Sequence, residues 1–226
     1  MFRSREGQAQ AITVVLLTGL TVATASVVYV WGQPILDKRQ AQNDLDSVEQ
    51  KTINLRQEIQ RVSEAGEGGS GSVSFDLSDS EYEVQLLRVN EDADYIDIVV
   101  NSGNAPYPDG KWTILKPQNE DVIQNLSIGS GDYAIKGEDS GSVLMAKSRP
   151  SSVRYRVEFR NLYSEDASTP LEKVDIQADG GSVSGGGSEV SLRNLGTRED
   201  LGDEGLRISS GQRLDRSRTV VSVDLR

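Results

Sequence analysis

The chain has 226 residues, 36% of them apolar, and its 35 acidic against 24 basic side chains give a formal charge of −11. Cysteine and histidine are both absent, which removes disulfides, thiolate nucleophiles, the usual zinc sites and every histidine-based triad. An acid excess of this size repels phosphate backbones, so nucleic acid is not an expected partner, and 17 arginines to 7 lysines suit either a surface hydrated at high salt or an ordinary acidic secreted protein.

From Gly7 to Leu36 there is no charged side chain, and Ala11 to Trp31 is an apolar run of 21 residues. As a helix it would be about 31 Å long, the thickness of one bilayer hydrocarbon core at roughly 30 Å. Tyr29 and Trp31 stand at its far end, where amphipathic rings prefer the interface, and Arg3 and Arg5 precede it. One membrane-spanning segment is expected, with the short tail in the cytoplasm and the long acidic remainder outside. Small and hydroxylic residues recur through the run: Thr13, Thr18, Gly19, Thr21, Ala23, Thr24, Ala25 and Ser26. Gly19 and Ala23 form a small-xxx-small pair that lets helix backbones approach closely, although an anchor helix also tolerates such residues. Val15, Gly19, Val22 and Ala23 are the candidate helix-packing residues.

Beyond Pro34 the spacing changes. Leu45, Val48, Thr52, Leu55, Ile59 and Val62 step by 3, 4, 3, 4, 3, the seam of an amphipathic helix from about Ile35 to Glu64. That seam fits either an exposed coiled coil or a helix lying on the sheet that follows. Pro34, without an N–H, is expected to kink or loosen the joint between the two halves.

Gly66 to Ser72 reads as a glycine and serine stretch that forms a flexible link or a turn and marks a domain boundary. After it come short runs rich in β-branched and aromatic residues: Val73–Leu77, Tyr82–Val89, Tyr95–Asn101, Lys111–Lys116, Tyr133–Lys136, Ser142–Ala146, Val153–Tyr163 and Leu171–Ala178. Their alternation and spacing predict an antiparallel β-sandwich head, with Pro106-Tyr-Pro-Asp-Gly110 as a turn and Trp112 as a core anchor in preference to a ligand platform. A second glycine cluster, Asp179 to Ser188, precedes a weaker tail in which Glu189–Leu192, Leu206–Ser209 and Thr219–Leu225 are expected as edge or finishing strands and Thr197 to Asp203 as an exposed charged stretch.

The junction Arg3-Ser-Arg-Glu-Gly7 followed by Gln8-Ala-Gln-Ala-Ile-Thr-Val-Val resembles the class III signal sequence of archaeal type IV pilins and archaellins. The resemblance implies that a membrane-embedded prepilin peptidase cuts between Gly7 and Gln8 and that the freed helix packs into a filament core. Its partners would then be the membrane, the peptidase acting on the precursor, and further copies of the chain. Ile12 stands at the fifth mature position, where many members carry glutamate. Two other fates fit the same residues: secretory cleavage at Ala23-Thr-Ala25 before Ser26, or an uncleaved anchor. The expected organisation is a leader over 1–7, an assembly helix over 8–32, a stalk helix over 33–65, a linker over 66–72 and a β-rich extracellular head over 73–226. This α+β reading implies a structural filament subunit, major or minor. The alternative is a membrane-anchored β-sandwich binding module of archaellum-stator or adhesion type.

Little else in the sequence suggests chemistry. Asn90-Glu-Asp-Ala-Asp94 with Asp97, and Asp76 with Asp79 and Glu81, offer oxygen ligands of the kind calcium favours, but short acidic clusters in so acidic a chain are ordinarily hydrated surface. Asn125-Leu-Ser127 is an acceptor pattern for N-linked glycan. There is neither a phosphate loop nor a Gly-x-Ser-x-Gly elbow, so no enzyme activity, cofactor or resident metal is expected.

Overall fold

A computed structural model describes residues 4–75, 84–91, 94–102, 106–116, 135–136, 141–160, 162–163, 171–179, 188–202, 206–207 and 213–225. One helix, α1 (Ser4–Glu64), precedes the strands, and the helical assignment is unbroken through Pro34. The strands are β1 (Ser70–Phe75), β2 (Val84–Asn90), β3 (Tyr95–Asn101), β4 (Thr113–Lys116), β5 (Ile135–Lys136), β6 (Ser142–Arg149) and β7 (Ser152–Phe159). They continue with β8 (Leu162–Tyr163), β9 (Leu171–Ala178), β10 (Ser188–Asp200), β11 (Leu206–Arg207), β12 (Arg213–Leu214) and β13 (Arg216–Leu225).

The chain divides into two compact units, Met1–Asn43 and Asp44–Arg226. In the second, a five-stranded antiparallel sheet has the order β2-β3-β7-β6-β4, and a four-stranded sheet has the order β1-β10-β13-β9. The second sheet is antiparallel except for β13 and β9, which run parallel. Short ladders join β11 to β12 and β5 to β8. The α+β class and the β-rich head therefore stand, with two parallel pairs, β13–β9 and β5–β8, that alternation within single strands could not reveal.

All six seam residues of α1 are at most 1% exposed, and the five aliphatic ones share one cluster with residues of both sheets, including Phe75, Ile98, Tyr155, Val190 and Val223. Of the two fates open to the seam, the helix lies on the sheets. The five aliphatic members contribute roughly 1.5–3 kcal/mol each by leaving water. Thr52, the polar member, donates its hydroxyl to the Val48 carbonyl at 2.8 Å and so can sit in a dry core. The Tyr155 hydroxyl donates to the Leu45 carbonyl at 3.2 Å, and Tyr107 packs edge-on against Tyr155 while donating to Glu49 at 2.8 Å.

Three expectations about the head need correction. The boundary between compact units falls inside the helix, and only the first part of the glycine and serine stretch connects elements. Gly66 and Gly68, at φ +79° and +86°, make a tight turn, and Ser70 already pairs with Arg193 in β1. At Gly71 a Cβ would fall 2.1 Å from Oε1 of Glu58, so the ends of the Glu58 and Arg61 side chains would have to move to admit one. In the tail, β10 and β13 are the two interior strands of their sheet and not its edges, while β11 pairs with β12. Residues 197–200 are part of β10, paired with β13; Thr197, Arg198 and Glu199 are exposed as expected, whereas Asp200 is buried. Trp112 is half-buried and sits with Ile114 over Val143 and Met145, a satellite cluster apart from the main core.

Candidate functional site

In the first compact unit, every side chain from Thr13 to Trp31 is exposed, among them Val15 at 70%, Val22 at 61% and Trp31 at 77%. The segment is long and apolar enough to cross a membrane. Its hydroxyls are satisfied within the helix: Thr18 donates to Val14 at 2.8 Å, Thr21 to Leu17 at 2.7 Å, Thr24 to Leu20 at 3.0 Å and Ser26 to Val22 at 2.8 Å. In hydrocarbon an unsatisfied hydroxyl is costly, so this back-bonding makes an apparently polar stretch compatible with lipid or with a neighbouring helix. Gly19 and Ala23, one turn apart on α1, share a face with Val15 and Val22. A Cβ built on Gly19 meets nothing within 4 Å, so the notch there is open to an incoming surface. Gly7 and Gln8 lie within the helical backbone of α1. Asn125, like Asp76, Asp79 and Glu81, lies outside the described residues.

Of the other carboxylates of the kind calcium favours, Asp92 also lies outside the described residues, Glu91 accepts the Ala178 amide at 3.4 Å, and Asp94 and Asp97 are held by cations of the chain itself. Asp94, with φ +48°, adopts a left-handed backbone that a short polar side chain tolerates. Its carboxylate receives the Lys173 ammonium and, at 3.1 Å, the Ile176 amide, while its carbonyl accepts the Phe159 amide at 2.8 Å. It thus joins β3 and β7 of one sheet to β9 of the other. Burial pushes the Asp94 carboxyl above the usual range, and Lys173 pulls it back down. Asp97 accepts two bonds from Arg156, at 2.7 and 3.0 Å, and approaches Arg154 at 3.5 Å. Among the described residues no group of three side chains is arranged to hold a metal ion.

The sheet face that carries Asp97 has a second feature. The Arg156 guanidinium lies 3.5 Å from the Tyr95 ring centroid and 4.9 Å from that of Trp112, and the Lys147 ammonium lies 4.2 Å from Trp112. Arg156 belongs to a strand expected from the sequence and Lys147 to the part of β6 that runs past the expected end at Ala146, and only sheet order brings them together. Burial and the nearby Arg154, Arg149 and Arg156 hold the Lys147 ammonium below its usual range, with Asp97 opposing. A separate cleft of about 450 Å³ is lined by Gln60, Glu64, Arg160, Lys173, Thr197 and Thr219, among others. Its lysine is already engaged by Asp94 and Asp175, and its residues form no nucleophile–base pair.

No protein-family model, curated protein or solved structure matches the chain.

Proposed function

We propose that the chain is a structural subunit, major or minor, of a type IV pilus-like filament on an archaeal cell surface, assembled through its N-terminal helix. The observation that carries this reading is the wholly exposed apolar segment Thr13–Trp31, with hydroxyls bonded internally and an open notch at Gly19. A bilayer would cover that surface in the precursor. After removal of 1–7 by prepilin peptidase, sibling helices would cover it instead, at roughly 1.5–3 kcal/mol per large aliphatic side chain withdrawn from water. A contact repeated head to tail without closing generates an open helix, and the acidic heads would coat it. The resemblance of Arg3–Val15 to a class III signal supports the same order of events.

The decisive measurement is the mass of the native N-terminus, together with recovery of filaments by shearing cells. Gln8 at the N-terminus and filaments in the sheared fraction are expected, and Gly19→Leu should abolish those filaments while leaving the circular dichroism of the head unchanged. A chain beginning at Ser26, or one retaining Met1 or Phe2 and never shed as filaments, overturns the proposal. The latter outcome leaves a membrane-anchored β-module.

A further inference from the structure

We propose that the outer face of the β2-β3-β7-β6-β4 sheet docks onto the acidic surface of a second copy of this chain. The inference deepens the filament reading and rests on it for its setting; its chemistry comes from the charge layout of the head.

Strand register defines the face. Arg88 lies opposite Asp97, Asp97 opposite Arg156, and Lys147 opposite Arg154. The alternate residues of β7, Val153, Tyr155 and Val157, are buried in the main core, so the cations are on the side away from it. Arg149 follows Lys147 on the same side of β6. Among the described residues, the two carboxylates of this face, Asp97 and Glu158, are buried, whereas Arg88 and Arg149 are exposed and Lys147 and Arg154 half-buried. What reaches solvent among them is positive. Elsewhere on the head, charge is mixed, with Asp46, Glu67, Glu189 and Glu199 exposed beside Arg61, Arg193 and Arg198, and the whole chain carries −11.

A positive face on a strongly negative chain is complementary to the rest of its own surface. Because the two surfaces differ, a contact between them is heterologous and does not close on itself, which is the symmetry an open helix needs. The face is also rigid: Arg156 is clamped by Asp97 and stacked on Tyr95, so little side-chain freedom is lost on docking. An acidic polysaccharide is the competing occupant. Lys147 and Arg156 already lie over the Trp112 ring, which therefore offers charge to a partner in preference to a bare ring on which a sugar could stack. Neighbouring chains tethered to one membrane or filament also present carboxylates at high effective concentration.

The test uses full-length chains, light and heavy in nitrogen, co-reconstituted in neutral lipid vesicles. A carbodiimide then joins amines to carboxylates without a spacer, and only light–heavy peptide pairs report contact between copies. Lys147 should appear in light–heavy pairs with Asp or Glu. Their yield should fall about tenfold as salt is raised from about 50 to about 500 mM, because screening shortens the range of the attraction. It should fall comparably in an Arg149→Gln, Arg154→Gln variant whose circular dichroism matches the parent. Lys147 coupled solely within single chains, or a yield indifferent to that variant, overturns the inference. Retention on heparin-agarose without light–heavy pairs also overturns it, by assigning the face to a glycan. Filaments without Lys147 pairs would sink this inference alone, whereas Lys147 pairs in a chain that keeps its first seven residues would sink the filament reading alone.

Discussion

The carboxamide of Asn194, 2% exposed, donates to the Val62 and Ser63 carbonyls at 3.0 Å each, and its oxygen accepts the Gly196 amide at 2.7 Å. Its backbone exchanges bonds with the turn before β1: Gly68 donates to its carbonyl at 2.9 Å, and its amide donates to Gly69 at 2.8 Å. One residue thereby caps two carbonyls at the end of α1, where intrahelical donors run out; the Val62 carbonyl also accepts the Ala65 amide at 3.3 Å. Asn194→Leu should destabilise the head by about 3 kcal/mol, measured by urea unfolding, because buried acceptors lose their donors. Asn194→Asp should fare no better despite its shape, since it brings a negative charge to the negative end of the helix dipole. Glu158 behaves differently. Burial raises its carboxyl above the usual range, against the pull of Arg156 and Arg160. The folded state therefore holds this proton at pH values where the unfolded chain has released it, so the group's contribution to stability grows as pH falls and is a cost at neutral pH. Glu158→Gln should be more stable than the parent at neutral pH, and urea midpoints should show that advantage shrinking as the pH is lowered toward the usual carboxyl range, about 4.

The seam of α1 is the element that binds the two sheets into one core. Leu55→Ala should cost about 2–5 kcal/mol in urea unfolding of the head, the usual range for such a truncation in a packed interior. Val15→Ala, in the exposed segment, should leave the same midpoint unchanged. This seam was fully legible, because burial of one helical face imposes a spacing that survives in the residue order. Strands β3 and β9 were legible for the equivalent reason, and their observed bounds coincide with those expected. The pairing of strands was not. The charged stretch after Gly196 looks like a loop because its neutralising partners are distant: Arg218 reaches Asp200 at 3.0 Å and Asp175 at 2.5 Å. A register shift between Asn194 and Thr197 lets β10 continue past Gly196. Nothing local to Leu171–Ala178 signals that it will run parallel to β13.

At the scale of the molecule, one sheet face gathers cations, and that gathering was hidden in the sequence for a simple reason. Alternation along strands interleaves Arg154 and Arg156 with core residues, while Lys147 and Arg88 arrive from other strands, so no basic run is visible in chain order. The apolar helix was legible because its signal is continuous; the basic face depends on sheet order and was not. In the proposed filament the two features divide the work, with the helix supplying most of the attraction and the sheet face selecting how one acidic head meets the next.

The placement of β13 also sets a schedule for biosynthesis. This strand lies between β10 and β9, though it is made after both, so the four-stranded sheet is split until residue 225 has been translated. At about 5–20 residues per second, the interval between the emergence of the greasy N-terminal segment and completion of the sheet lasts at least several seconds. During that interval the core that α1 shares with both sheets lacks Val221, Val223 and Leu225, so the head stays incomplete until its last strand is made.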